Sequence, residues 1–283
     1  MQENMKVVLF TNARDEKNMH EWVAHHLLLG FDEIYIVDHK SIIPLEGQFD
    51  NFNKDVKKVF VKRCEKEGAV KDFFICRAAQ QARVTKADWM LYLDADEFFV
   101  INLQYITNVK DLLKNYNFAD SVSFNWLLFG SNYHINEPKG FIIDNYTRSI
   151  LKFTDHLKTF IRPQEFCEPN AHRSNVKNMS RAYHGSGVCL GTIYPPYLDN
   201  RHFINNIEYY NSIAYIAHYA YQSEETFIKR KIRLPRDDWG VHRTQEETEL
   251  GNNFHSKCND IENLSVKNKY SENIHKYLES IGY

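Results

Sequence analysis

Asp94, Asp96 and Glu97 place three carboxylates within four positions at the end of an apolar run. They follow Trp89-Met90-Leu91-Tyr92-Leu93, an apolar run that reads as a strand buried on both faces and therefore central in a sheet. Open α/β sheets bind ligands at the C-terminal ends of such strands. Asp94 and Asp96, two positions apart, point the same way for as long as strand geometry persists, so both can converge on one cation. Acids this close repel one another, and a divalent metal removes that penalty. Carboxylate and phosphate oxygens are hard donors, suited to Mg²⁺ or Mn²⁺ rather than zinc. The competing reading is a strand end with solvated acids, which the bare Asp-x-Asp pattern does not exclude. The buried strand before it and Glu97-Phe98 after it favour the metal reading.

The elements that must position these acids are legible from hydrophobic period. Lys6 to Thr11 reads as a strand, His20 to Leu29 as a helix stopped by Gly30, and Glu33 to Val37 and Lys57 to Val61 as two further strands. Ala69 to Ala87 reads as a helix with Phe73, Cys76, Ala79 and Val84 as its apolar stripe, followed by the strand Trp89 to Leu93. This order predicts an α/β fold with a mostly parallel central sheet flanked by helices. Beyond residue 100 the pattern is less regular, with a helix at Val109 to Tyr116 and strands at Asp120 to Leu128 and Leu157 to Arg162. A loop-rich stretch from Pro163 to Pro196 precedes a strand at Ala214 to Tyr219 and a basic helix from Glu224 to Arg233. No repeat or linker stands out, so residues 1–283 are expected to form one domain. Residues 1–100 would be its nucleotide-facing half, 101–260 its acceptor half and 261–283 a C-terminal helical tail.

The bulk properties narrow the function further. The 283 residues carry a formal net charge of -2, with no basic field that would favour nucleic acid. Five cysteines, odd in number and without a CxxC pair, support neither a structural zinc site nor a disulfide framework. The N-terminal apolar run Val7 to Phe10 is too short for a signal peptide or a membrane span. A soluble cytoplasmic or otherwise intracellular protein, with no integral membrane segment, is the expectation. His20-Glu21-Trp22-Val23-Ala24-His25 nearly spells a zinc-protease motif. Its histidines are five apart, however, and diverge by about 140° on a helix. Helix packing is the better reading for them. The glycines from Gly185 to Gly191 have the wrong spacing for a phosphate loop, and no Walker motif is present.

Several ordered blocks resemble one family. They are Arg14-Asp15-Glu16, Glu21-Trp22-Val23-Ala24-His25-His26, Ile36-Val37-Asp38-His39-Lys40-Ser41 and Asp88-Trp89 through Asp94-Ala95-Asp96-Glu97-Phe98. Asn125-Trp126-Leu127-Leu128-Phe129-Gly130-Ser131, Lys158-Thr159-Phe160-Ile161-Arg162-Pro163 and His218-Tyr219 with Ser223, Glu225-Thr226-Phe227 and Lys229 follow in order. Over about residues 6 to 260 the chain is similar to family 2-like and family 92 glycosyltransferases of the GT-A type. It departs from their pattern at Asp15, where they commonly have Asn, and at Leu234-Pro235, which replaces a usual glycine.

The resemblance implies a GT-A fold, Mn²⁺ or Mg²⁺, a nucleotide-diphosphate sugar donor (UDP-sugar favoured) and a glycan or other hydroxyl acceptor. It implies that Asn12, Arg14, Asp38, Arg77, Gln80, Asp94 and Ala95 lie near the nucleotide-sugar, and that Lys229 and Arg233 neutralise the departing diphosphate. Asp94 and Asp96 would hold the metal together with His172 or His218, and Trp126 and Gly130 would meet the acceptor. Transfer, inverting by family analogy, also needs an acid to take the acceptor proton, for which Glu168 and Asp237 are the candidates. The rival readings are a haloacid-dehalogenase-like phosphatase, a nucleotidyltransferase and an inactive carbohydrate-binding protein.

Overall fold

The computed structural model describes residues 5–102, 104–192, 213–244 and 250–283. The first half alternates strand and helix: β1 (Val7–Ala13), α1 (Met19–Leu28), β2 (Glu33–His39), β3 (Val59–Cys64), α2 (Lys71–Val84) and β4 (Trp89–Tyr92). All residues of β1 and β4 are buried, because their near-continuous apolar runs leave no solvent face. These strands lie in the order β3-β2-β1-β4, all parallel. The chain moves outward from β1 to β3 and then returns to β4 on the other side of β1. With right-handed crossovers, this reversal puts α1 and α2 on opposite faces and opens a crevice between the ends of β1 and β4.

The sheet continues through the second half. β5 (Glu97–Ile101), α3 (Val109–Lys114), β6 (Ser121–Leu128), α4 (Ile142–Asn145), β7 (Arg148–Ser149) and β8 (Leu157–Ile161) come next. The short strands β9 (Phe166–Glu168), β10 (Asn175–Val176) and β11 (Ala182–His184) lie within the stretch expected to be loops, which beyond Thr192 falls outside the described residues. β12 (Ala214–His218), α5 (Glu224–Phe227), β13 (Ile261–Glu262) and α6 (Ser265–Ile281) complete the chain. β8 runs antiparallel between β4 and β6, β12 joins β6 in parallel, and β5 closes the path antiparallel to β12. The result is a mostly parallel central sheet flanked by helices, the arrangement expected of a GT-A-type fold.

β5 matters most for the site, because Asp96 and Glu97 stand at its start. Its free edge is covered by side chains instead of a further strand. Trp22 Nε1 donates to the Glu97 carbonyl at 2.7 Å, and His25 Nε2 lies 2.8 Å from the Phe99 carbonyl. The Phe99 N–H donates to His26 Nε2 at 3.2 Å, while His26 Nδ1 lies 2.8 Å from the Trp22 carbonyl. Tyr270 Oη serves both the N–H and the carbonyl of Ile101 at 3.1 Å. These partners require His26 to be neutral, with Nδ1–H donating to Trp22 and Nε2 accepting from Phe99, whereas His25 donates through Nε2 alone and its buried Nδ1 has no partner. An unpaired edge exposes backbone donors and acceptors, and here each covered group has a specific partner. This accounts for the two adjacent histidines of α1, which are packing residues and not zinc ligands.

Two local expectations change. α2 buries Phe74, Ile75, Ala78, Ala79 and Ala82, whereas Phe73 and Val84 are exposed. Apolar residues adjoin one another on this helix, so period alone found Ala79 and the partly buried Cys76 but chose Phe73 and Val84 over Phe74, Ile75, Ala78 and Ala82. The basic helix is regular only through α5, and residues Ile228–Ile232 continue in a wider, π-type turn that no feature of the sequence marks. α6 packs on α1 and α4, burying Val266, Ile274 and Leu278, and ends at Gly282 in a left-handed conformation (φ 91°). Among the described residues no helix is long and apolar enough to cross a membrane.

Burial lowers the His25 pKa from an ordinary 6.5 to about 4, against a smaller raising effect of the Phe99 hydrogen bond. The unfolded chain therefore binds the extra proton first. The contribution of neutral His25 is complete above about pH 6.5 and is lost as pH falls toward 4, by up to about 3 kcal/mol. His25→Gln, which can still donate to the Phe99 carbonyl, removes this titration. Urea denaturation of both proteins across that interval should show the wild type losing stability relative to the variant. Parallel curves would contradict the assignment.

Candidate active site

A cleft of about 340 Å³ lies at the C-terminal ends of β1 and β4, where the strand order reverses. Asp94 and Asp96 both line it, but not by strand alternation. β4 ends at Tyr92 and β5 begins at Glu97, so the two acids sit in the connecting turn, which is closed by the Glu97 N–H donating to the Asp94 carbonyl at 3.0 Å. Each faces a different set of cations. Asp94 is paired with Lys71 and, at 3.0 Å, with Lys158. Asp96 Oδ2 lies 3.3 Å from Arg230 and 3.5 Å from Lys231, while Oδ1 lies 3.5 Å from His218 Nε2. Burial opposes ionisation of Asp94, but Lys158 and Lys71 outweigh it and hold its carboxyl well below the ordinary value. Asp96 behaves alike, with burial overcome by Lys231, Arg230 and His218.

Glu97 turns inward beneath this pair. It accepts the Asp94 N–H at 2.8 Å and pairs with Lys158 at 3.1 Å, with no exposure to solvent. Burial pushes its pKa up to about 7, against the lowering effect of Lys158. Its Oε1 and His218 Nδ1 are both buried without a hydrogen-bond partner, and they stand 4.0 Å apart. With a cation between Asp96 and His218, an Nδ1–H facing Glu97 would leave the Nε2 lone pair to the metal. This is the orientation that a metal-ligating imidazole takes when a carboxylate stands behind it. Among the described residues no three His, Cys, Asp or Glu side chains are already gathered as a metal shell. The donor set nevertheless fits a hard divalent cation. Ligands about 2.1 Å from such an ion stand about 3 Å from one another in octahedral geometry, close to the 3.5 Å between Asp96 and His218.

Of the two candidate histidines, His218 is therefore the one beside Asp96. The His172 ring lies 4.9 Å from that of Trp126 and 5.0 Å from that of His156. Burial first, then Lys158 and His156, pushes its pKa down to about 3. Trp126 stacks on His156 at 4.8 Å and meets His218 edge-on at 4.3 Å. At 9% exposure it forms an aromatic wall behind the imidazoles more than an open platform.

The side of the cleft formed by β1 and the start of α2 is built from hydrogen bonds between distant segments. Asn12 accepts from Tyr92 Oη at 2.7 Å and Lys71 Nζ at 3.1 Å, and donates to Asp237 at 2.5 Å. The Asp237 carbonyl accepts the N–H groups of Val70 and Lys71 at the start of α2, and its carboxylate lies 3.4 Å from His39. Asp237 is thus in the cleft, but its carboxylate already serves Asn12 and His39. Arg14 and Ala95 also line the cleft.

Other sequence candidates lie elsewhere. Asp38 is buried, accepting the N–H groups of Ser41 and Leu45 and pairing with Arg63 at 3.0 Å, so its carboxylate shapes its own loop. Arg77 and Gln80 are exposed and hydrogen-bonded to each other at 3.1 Å. Glu168 is exposed, accepting from Asn175 at 3.0 Å. Lys229 pairs with Glu225 at 2.6 Å and, like Arg233, lines a different cavity. Gly130 is fitted against backbone, since an added Cβ would stand 2.4 Å from the Cys258 carbonyl oxygen. None of these positions lines the cleft: Asp38 serves its own loop, Arg77, Gln80 and Glu168 lie exposed with neighbouring partners, and Lys229 and Arg233 line the second cavity.

The cations that do face the acids were not singled out from the sequence. Lys158 had a readable signal, a lone charge inside the fully buried strand Leu157–Ile161. Lys71, Arg230 and Lys231 had none, because basic residues at helix ends are common and their neighbours Lys229 and Arg233 looked equivalent. Glu16, reached by Arg230 at 2.5 Å, has its pKa raised by burial to about 7.

No family model matches this chain, and no curated protein matches it. Among solved structures it overlaps residues 1–349 of TarS from S. aureus at 16% identity and a TM-score of 0.35, covering 56% of this chain and 47% of that one. HddC from Yersinia pseudotuberculosis overlaps at 10% identity and 0.37, covering 64% and 91%. A 4-diphosphocytidyl-2C-methyl-D-erythritol synthase overlaps at 10% and 0.34, covering 58% and 78%. The chain thus spans about half the length of the TarS fragment it matches. Overlaps of this extent are partial superpositions, and the chemistry of the cleft has to be judged on its own residues.

Removing Lys158 leaves Glu97 fully buried without its cation and leaves the half-exposed Asp94 to Lys71 alone. Lys158→Met should lower stability by about 3–5 kcal/mol. Adding Glu97→Gln to it should recover part of that loss, because the buried charge is gone. Urea denaturation gives both values, and a cost below about 1 kcal/mol for the single variant would show that the ammonium is not the compensating charge.

Proposed function

We propose that this protein is a glycosyltransferase that moves a sugar from a nucleotide-diphosphate donor to an acceptor hydroxyl. The observation that supports this reading is the charge pattern of the cleft. Asp94 and Asp96 stand at the switch point of a mostly parallel sheet, beside six cationic residues: Arg14, Lys71, Arg230, Lys231, Arg236 and Arg243. A diphosphate carries the charge such a set recognises.

Asp94, Asp96 and His218 are the residues that would hold Mn²⁺ or Mg²⁺, and the cation would supply charge neutralisation at the donor phosphates. Arg230 and Lys231, now directed at Asp96, would meet the diphosphate as the bond from sugar carbon to phosphate oxygen breaks. The acceptor oxygen bonds to that carbon and gives up its proton. Asp237 is committed to Asn12 and His39, and Glu168 lies on the surface. Glu16, raised to about 7 and lining the cleft, has the pKa suited to take that proton near neutrality. A UDP-sugar is the favoured donor, by family likeness, and a glycan or other hydroxyl compound the acceptor.

Incubation with UDP-, GDP- and CDP-sugars, in Mn²⁺ or in chelator, tests the reading through its products. Sugar transfer or hydrolysis releases nucleoside diphosphate, nucleotidyl transfer releases pyrophosphate, and a phosphatase releases phosphate. We expect metal-stimulated release of nucleoside diphosphate. Asp96→Asn should reduce it at least about 100-fold while leaving the melting temperature within a few degrees. Equal turnover with manganese and with chelator would remove the metal from the mechanism.

A further inference from the structure

A second cavity of about 660 Å³ adjoins the cleft, and Glu16, Arg230 and Leu234 line both. Its outer wall is the loop after β2, which is tied down at every turn. Asp38 accepts the N–H groups of Ser41 and Leu45 at 3.0 and 3.1 Å, and Arg63 donates to the Ser41 carbonyl at 2.6 Å. Asp15, in a left-handed conformation (φ 53°), accepts the Ile42 N–H at 2.7 Å and donates its own N–H to Ser41 Oγ at 3.1 Å. This rigid frame holds Ile42 and Ile43 out at the rim, 87% and 73% exposed. An adjacent apolar pair kept in water by a hydrogen-bonded loop marks a binding surface more than a folding requirement.

The opposite wall is basic. Lys17 is paired with Glu137, Lys229 with Glu225 and Arg230 with Glu16. Arg233 has no acid partner among the described residues, and the one lining acid without a cation, Asp15, accepts the Ile42 N–H on the facing wall. The volume falls within the range of small-molecule sites, about 300–1,000 Å³. A planar guanidinium matches a carboxylate or phosphate group in two-point contact.

We propose that this cavity is the acceptor site, and that the acceptor is a small anionic amphiphile. Its apolar face rests on Ile42 and Ile43, its anionic group meets Arg233, and its hydroxyl reaches Glu16 in the shared wall. The acceptor role rests on the transferase reading; the ligand chemistry rests on the cavity alone.

Isothermal titration with p-nitrophenyl β-D-glucuronide tests this, because that probe carries an apolar ring, hydroxyls and a carboxylate. The p-nitrophenyl β-D-glucoside lacks the charge, and glucuronic acid lacks the ring. The wild type should bind the full probe at least about tenfold more tightly than either control. Arg233→Gln should reduce it to the level of the glucoside, and the double variant Ile42→Ser/Ile43→Ser to that of glucuronic acid. Both variants should keep wild-type binding of UDP with Mn²⁺, and UDP should not displace the probe. Equal binding of all three compounds, indifference to both variants, or displacement by UDP would overturn the proposal. UDP titrated into the same samples separates the two readings. Intact UDP binding without probe selectivity defeats only the acceptor site, whereas probe selectivity without any UDP-sugar binding defeats the transferase reading and the acceptor role with it.

Discussion

The ammonium of Lys158 lies within 3.0 Å of Asp94 and 3.1 Å of Glu97, at a point where an apolar strand ends in three acids. Burying several carboxylates together is unfavourable unless a cation shares the space with them. Lys158 comes from β8, the strand that runs antiparallel between β4 and β6. Its insertion therefore couples the two halves of the sheet and the charge balance of the site in one contact. With Glu97 anchored below, the Asp94 N–H is held and the turn that carries Asp96 is fixed.

That turn is held from the outside as well. β5 cannot gain a further strand on its free edge, because α1 and α6 cover it with Trp22, His25, His26 and Tyr270. On its other side β12 brings His218 level with Glu97. The arrangement is a rigid frame around a charge cluster that is less rigidly satisfied. The contacts of Asp96 are 3.3–3.5 Å, longer than ordinary charge-assisted hydrogen bonds, and the Glu97–His218 pair is left unjoined at 4.0 Å. Such slack is what a site needs if its acids and bases are to exchange internal partners for a cation and a phosphate.

The loop after β2 illustrates how a residue type can be read correctly and its duty wrongly. An acid after a second parallel strand suggests a nucleotide contact. Here Asp38 spends its lone pairs on Ser41, Leu45 and Arg63, and the product is a fixed loop that presents Ile42 and Ile43 to solvent. Functional surface arises one step away from the polar residue that makes it possible.

Local order was largely determined by the sequence. Apolar runs at β1, β2 and β4, the helix between Met19 and Leu28, and the acids at 94, 96 and 97 follow from period and spacing, which reflect burial along a single element. The i, i+5 spacing likewise removed His20 and His25 from consideration as a zinc pair. Partner choice was decided only by tertiary structure. Whether Asp96 meets His218 or His172, and whether Arg230 and Lys231 or Lys229 and Arg233 face the acids, depends on how β12 and the wide turn after α5 are placed. Those contacts join residues more than a hundred positions apart. Hydrophobic period says which side of an element is buried. It carries no information about which charged side chain, delivered by another segment, will occupy the space beyond its end.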